Sequence, residues 1–161
     1  MLDLRQYNCL GEALRAATKR WPDEICLIEA DRDREKCRFT YRQFSEAAIL
    51  FARALQDAGF REGSRAAILM SNQSKWLISA CAIFFVGGVL VPLDYKLTAS
   101  EQLQLLAHSK AEVLITEYHL WRSLAKDEQF KNLAAGTVII SEALPSADLG
   151  PAKRWEEFQD S

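Results

Sequence analysis

An α/β fold, a mostly parallel sheet with helices on both faces preceded by an N-terminal β-hairpin, is the class this sequence predicts. Three observations carry it. Residues 76–93, WLISACAIFFVGGVLVPL, are uncharged throughout. Apolar strands alternate with helical patterns from residue 40 onward, the sequence form of a parallel sheet with right-handed crossovers. Two short strand-like runs near the start flank a charged turn.

The uncharged stretch has the minimum length of a membrane span, about eighteen residues. Its interior argues against one. Gly87-Gly88 breaks a helix and Pro92 forbids one just beyond. The stretch therefore reads as a helix over 72–86 and a buried strand Val89-Leu90-Val91. Trp76, Leu77, Ile78, Cys81, Ile83, Phe84 and Phe85 make the helix apolar nearly all round, which predicts burial on more than one side. A buried helix feeding a buried strand belongs to a sheet covered on both faces.

The other elements follow in order. Asn8 is placed to cap a first helix in which Leu10, Ala13, Leu14 and Ala17 recur at helical spacing, and Trp21-Pro22-Asp23 stops it. Strands are predicted over 24–30 and 36–40. The sign-alternating run 31–35 between them reads as a solvated hairpin loop, since the ion-binding alternative lacks supporting ligands. Thr40 and Gln43 form a capping-box pair for a helix buried along Phe44, Ala48, Phe51 and Leu55, which Gly59 ends in a left-handed conformation. A strand over 65–70 follows. Thr98 and Glu101 open another helix, carrying Leu103, Leu106 and Ala107. The alternation continues with a strand 112–115, a helix 118–125 and a strand 137–141. A loop over 145–151 and a short helix over 154–158 close the chain. Residues 1–142 are expected to form one α/β unit and 143–161 a loop and helix leading out of it.

Composition narrows the function classes. The 161 residues suit one domain. Lys plus Arg is 20, Asp plus Glu 22, and no basic stripe supports nucleic-acid binding. The first residues lack the basic-then-apolar form of a signal peptide, so a soluble, cytoplasmic domain is expected. Cys9, Cys26, Cys37 and Cys81 are far apart, with the spacing of reduced core thiols rather than a zinc site.

No catalytic, cofactor-binding or metal-binding residue is identified in this chain. His108 and His119 have no carboxylate or cysteine at ligand spacing. The serines form no Gly-x-Ser-x-Gly elbow. Gly87-Gly88 leads from helix to strand and is no phosphate loop, and 134–137 is an inadequate candidate for one. The four tryptophans read as packing anchors rather than ligand stackers.

The order of residues says more. Phe39-Thr40-Tyr41-Arg42-Gln43-Phe44 and the run 54–69, ALQDAGFREGSRAAIL, resemble the start of the adenylate-forming acyl-CoA synthetase family. Asn72, Val86-Gly87-Gly88-Val89-Leu90-Val91-Pro92-Leu93-Asp94, the run 97–103 and the run 109–115 continue the resemblance in register. Ser64 stands where the family usually has Asp, and Gly88 where it often has Ala. The resemblance implies a two-step AMP-forming ligase. A carboxylate attacks the α-phosphate of Mg-ATP to give an acyl-adenylate and pyrophosphate; a thiol, usually of coenzyme A, then displaces AMP. It also implies that the phosphate loop, the ribose-binding Asp and the C-terminal Lys lie beyond Ser161. ATP, Mg and coenzyme A are thus cofactors expected of the full-length enzyme and not of this chain, which is expected to be inactive alone. A fatty or other organic acid is the expected substrate, because Pro92-Leu93-Asp94-Tyr95 departs from the Pro-Ile-Asp-Pro of peptide synthetases. A stand-alone binding module is the alternative. With 49% hydrophobic residues and a net charge of −2, the isolated chain is expected to self-associate.

Overall fold

A computed structural model of the chain describes residues 3–133 and 135–159. Ala134, part of the 134–137 stretch considered above, lies outside them.

The N-terminal helix α1 (Leu10–Arg20) starts one residue later than its predicted cap. Cys9 occupies the cap position, without a side-chain hydrogen bond. Asn8 instead donates its backbone N–H to Glu12 Oε2 at 2.9 Å, which ties the segment before the helix to its first turn. Strands β1 (Ile25–Asp31) and β2 (Arg34–Thr40) pair antiparallel, with Asp31 opposite Arg34. The turn is tighter than the predicted five-residue loop, because Arg32 takes a left-handed conformation at φ 52°.

Helix α2 (Tyr41–Asp57) opens with the full Thr40–Gln43 capping box. Gly59, at φ 95°, ends it as predicted: its N–H reaches Gln56 O and that of Phe60 reaches Leu55 O, the two bonds of a Schellman motif. Strand β3 (Arg65–Leu69), helix α3 (Ser74–Val86) and strand β4 (Val89–Pro92) follow. Helix α4 (Ala99–Ser109) has its own complete capping box from Thr98 and Glu101. Then come β5 (Val113–Glu117), α5 (Tyr118–Leu124), β6 (Thr137–Ser141), the two-residue strand β7 (Lys153–Arg154) and α6 (Trp155–Gln159).

Strands β3 to β7 form one five-stranded sheet in the order β4-β3-β5-β6-β7, with every pair parallel. Alternate residues divide its two faces. Ala66, Ile68, Val113, Ile115 and Ile139 pack under α2, α3 and α6. Ala67, Leu69 and Leu114 pack with Leu103 and Leu106 of α4 and Leu124 of α5. This is the predicted doubly covered sheet, with the hairpin beside it.

Three expectations about packing are corrected. Strand β4 is an edge strand: Val89 is 47% exposed and Leu90 and Val91 are only half-buried. A run of three apolar residues reads alike in an edge and a central strand; Pro92, with no N–H to give a ladder, is at home on the edge. In α4 it is Gln102, not Ala107, that is buried beside Leu103 and Leu106. Its amide nitrogen donates to Leu97 O at 2.9 Å and ties down the preceding loop. Of the four cysteines only Cys81 is buried, Cys9 being exposed; all four are free thiols. Burial pushes the Cys81 thiol up to about 12.

Helix α6 packs into the main core. Trp155 stacks on Phe51 at 5.1 Å and donates its indole N–H to Ser79 Oγ at 3.0 Å. Trp155 is therefore a packing anchor, as expected of the tryptophans. Lys75, near the start of α3, bridges Glu142 at 2.8 Å and Glu156 at 2.7 Å. Among the described residues no helix is long and apolar enough to cross a membrane. The 76–93 stretch breaks where Gly87, at φ 83°, ends α3.

Candidate functional site

The chain leaves β3 through α3 to reach β4 on one side, then returns through α4 to β5 on the other. That reversal is the switch point of a doubly wound sheet, and ligands in such folds bind beyond the carboxyl ends of the two strands concerned. Here those ends are Leu69 and Thr116, which lie side by side.

The residue just past Thr116 is Glu117, whose side chain is only 8% exposed. Its Oε1 accepts from Ser71 N at 2.5 Å, Ser71 Oγ at 2.6 Å and Gln73 Nε2 at 3.0 Å. Its Oε2 faces His119 Nδ1 at 3.3 Å. The expectation that His119 has no carboxylate partner is thus corrected: a residue two positions away supplies one. His108 remains exposed. The cluster fixes the loop from β3 to α3. It does not align a nucleophile with a base, because Ser71 donates directly to a carboxylate that is already engaged.

The N-terminus of α3, across the same loop, is where a nucleotide phosphate would be expected at a switch point. It is filled by a protein carboxylate. Glu29 Oε2, from β1, accepts from Ser74 N at 2.7 Å, with Lys36 Nζ at 3.7 Å from Oε1. Burial by itself raises the Glu29 carboxyl. The Ser74 hydrogen bonds and the Lys36 charge outweigh that and hold it below its ordinary 4.5. An ATP phosphate at this point would meet Glu29, so the residues present do not fit a nucleotide here. Among the described residues no group of three or more His, Cys, Asp or Glu could hold a metal ion.

The sign of the Glu29 effect on stability follows from linkage. A carboxyl with a lowered folded pKa contributes stability that is complete above its unfolded value and is lost as pH falls through the folded one. Replacing Glu29 by Gln is therefore expected to destabilise the chain at neutral pH. The difference from wild type should shrink as pH falls through the ordinary carboxylate value of 4.5 and on through the lower folded value. Urea titrations across that window check it, and a difference that stays constant contradicts it.

Glu29 and Glu117 were not singled out in the sequence. The contacts of each join residues about 45 positions apart, and no local spacing marks them.

Fold and site together define a doubly wound α/β unit with a polar switch-point crevice, in which Glu29 occupies the N-terminus of α3. The model of the AMP-binding enzyme family matches residues 14–161, and the chain belongs to that family. It is 29% identical over 154 residues to phosphinothricin tripeptide synthetase of Streptomyces viridochromogenes, a match covering 94% of this chain and 13% of that protein. It is also 31% identical over 96 residues to 2-succinylbenzoate–CoA ligase of Bacillus licheniformis, covering 60% of this chain and 19% of that one. Among solved structures it resembles coronafacic acid ligase from Pectobacterium brasiliense, with a TM-score of 0.82 at 18% identity over 95% of this chain and 29% of the ligase. The anthranilate CoA ligase AuaEII gives 0.82 at 22% identity, over 99% and 29%. This chain thus spans less than a third of each of these proteins.

Proposed function

We propose that this chain is the N-terminal scaffold of an ATP-dependent, AMP-forming acid–thiol ligase that activates a fatty or other organic acid. ATP, Mg and coenzyme A act on groups outside the 161 residues. The observation that carries the reading is the family match over 14–161 combined with an overlay on less than a third of each ligase. The occupied N-terminus of α3 supports the placement of nucleotide chemistry elsewhere. The loop Pro92-Leu93-Asp94-Tyr95 favours an organic acid over an amino acid, although a tripeptide synthetase is among the relatives. A cytoplasmic location is part of the same proposal.

A scaffold cut from a larger enzyme exposes surface built to be covered. Leu4, Leu10, Ile28 and Leu144 are each more than half exposed, apolar surface that contact with further segments would bury. The isolated chain is therefore expected to form dimers or higher species. Light scattering after size exclusion tests this. A monodisperse monomer at high concentration that binds no hydrophobic dye supports a stand-alone module instead and counts against the scaffold reading.

A further inference from the structure

Four elements meet around a cavity of about 170 Å³ that takes no residue from the switch-point cluster. Leu14 and Ala17 of α1, Leu27 of β1, Phe44 of α2 and Leu77 of α3 supply its apolar walls. Thr18 and Cys81, also on the lining, are buried. Leu77 is 43% exposed, so the cavity reaches solvent at that wall. An apolar void of about 150 Å³ is enough to take a benzene molecule or a xenon atom.

The lining carries no charge, and its buried polar groups are satisfied within the protein. No Lys, Arg, His, Asp or Glu lines the cavity. Thr18 Oγ1 donates to Arg15 O at 2.9 Å, and the Cys26 thiol donates to Phe39 O at 3.4 Å. Among the described residues the one buried side-chain oxygen or nitrogen without a partner is Thr116 Oγ1, which is not on this lining. Burial pushes the Cys81 thiol up to about 12, so at pH 7 it is neutral. Water is held in a cavity by two or more polar partners. Water here lacks them, and an apolar guest gains by displacing it. An ionic guest would give up its hydration with no counter-charge in return. The two cysteine sulfurs and the rings of Tyr41 and Phe44 favour an aromatic guest over an aliphatic one.

We infer that this cavity is a binding site for one small uncharged aromatic molecule of about benzene size, enclosed by α1, β1, α2 and α3. The site is separate from the acid-activating chemistry and does not depend on it. Its selectivity is against charge of either sign. A cationic or anionic analogue keeps the aromatic contact but must shed hydration in a lining that cannot replace it. Its capacity is set by volume, so a side chain grown into the cavity takes the place of the guest.

The test is a titration of the 161-residue chain at pH 7, followed by methyl ¹H–¹³C spectra. The probes are benzene, benzylammonium and benzoate. Benzene is expected to shift the methyl groups of Leu14, Ala17, Leu27 and Leu77, with a Kd on the order of 1 mM. The two ions should each bind about tenfold or more weakly. Ala17→Leu places further carbons in the cavity and should weaken benzene about tenfold or more without lowering the urea midpoint. Thr18→Val keeps the side-chain shape and should leave the ranking of the three probes intact. A reading that needs no variant is competition with dissolved xenon, which should shift the same methyl groups and raise the apparent Kd for benzene. Equal binding of the three probes, shifts centred on other residues, or benzene binding indifferent to xenon would each overturn the inference. So would a folded Ala17→Leu variant that binds benzene like wild type.

Discussion

Replacing Gly88 by valine should cost the fold more than any other single glycine change at the end of α3, about 3 kcal/mol or above. A Cβ built on Gly88 would sit 2.6 Å from Phe60 Cζ, closer still to Cε1, and 3.2 Å from Ile83 Cγ2. Phe60 is 2% exposed and Ile83 fully buried, so neither can move aside without disturbing the core. The neighbouring Gly87 constrains the fold differently. It carries the left-handed conformation, φ 83°, that ends α3. Its N–H bonds to Phe84 O and that of Gly88 to Ile83 O, and a β-branched residue at Gly87 would oppose this turn. Its added Cβ would meet only the flexible Glu62 side chain, at 3.2 Å. Gly87→Val should therefore cost about 1–2 kcal/mol, mainly from the backbone. Urea midpoints at constant m-value measure both. Midpoints within error of wild type for both variants, or a Gly87 variant less stable than the Gly88 variant, contradict this account of the α3–β4 junction.

The second large effect is expected at the switch point. Glu117→Ala removes the acceptor for Ser71 N–H, Ser71 hydroxyl and Gln73 amide together. Each donor left without a partner in a mostly buried place costs about 1–3 kcal/mol. Water reaches the half-buried Ser71 and Gln73 in part, so the sum should be moderated to about 3 kcal/mol. Glu117→Gln keeps one acceptor oxygen and should lose about 1 kcal/mol. The Ser71 amide reports on the mechanism: its hydrogen exchange should accelerate in the alanine variant, beyond what global destabilisation explains, and remain slow in the glutamine variant. If both variants exchange like wild type at Ser71, Glu117 does not hold this loop.

These residues show where the sequence was informative. The capping boxes at Thr40–Gln43 and Thr98–Glu101 were legible because both partners lie within one helical turn. So was the end of α3, because a paired glycine in an apolar run has few other uses. The doubly covered sheet was legible from apolar strands alternating with helices. The edge position of β4 was not, since strand order depends on which crossover reverses. Strand β7 was missed because two charged residues, Lys153 and Arg154, carry no strand pattern: Arg154 was read as the start of the short helix and Lys153 as part of no element. Only their pairing with Ile139 and Ile140 makes them a strand. The crevice was the least legible part. Glu29, Glu117 and Lys75 look like ordinary surface charges in the sequence, and the fold gives each its partners from distant segments. The family resemblance was legible because it rests on ordered motifs, most of them at strand ends and turns.

The most direct measurement is isothermal calorimetry of the isolated chain with Mg-ATP. Glu29 occupies the N-terminus of α3, and on the proposed reading the phosphate-handling groups lie outside these 161 residues. No saturable heat is therefore expected with ATP up to about millimolar concentrations, with or without Mg. Stoichiometric, Mg-dependent binding with a micromolar Kd would contradict this and would require a nucleotide site within this chain.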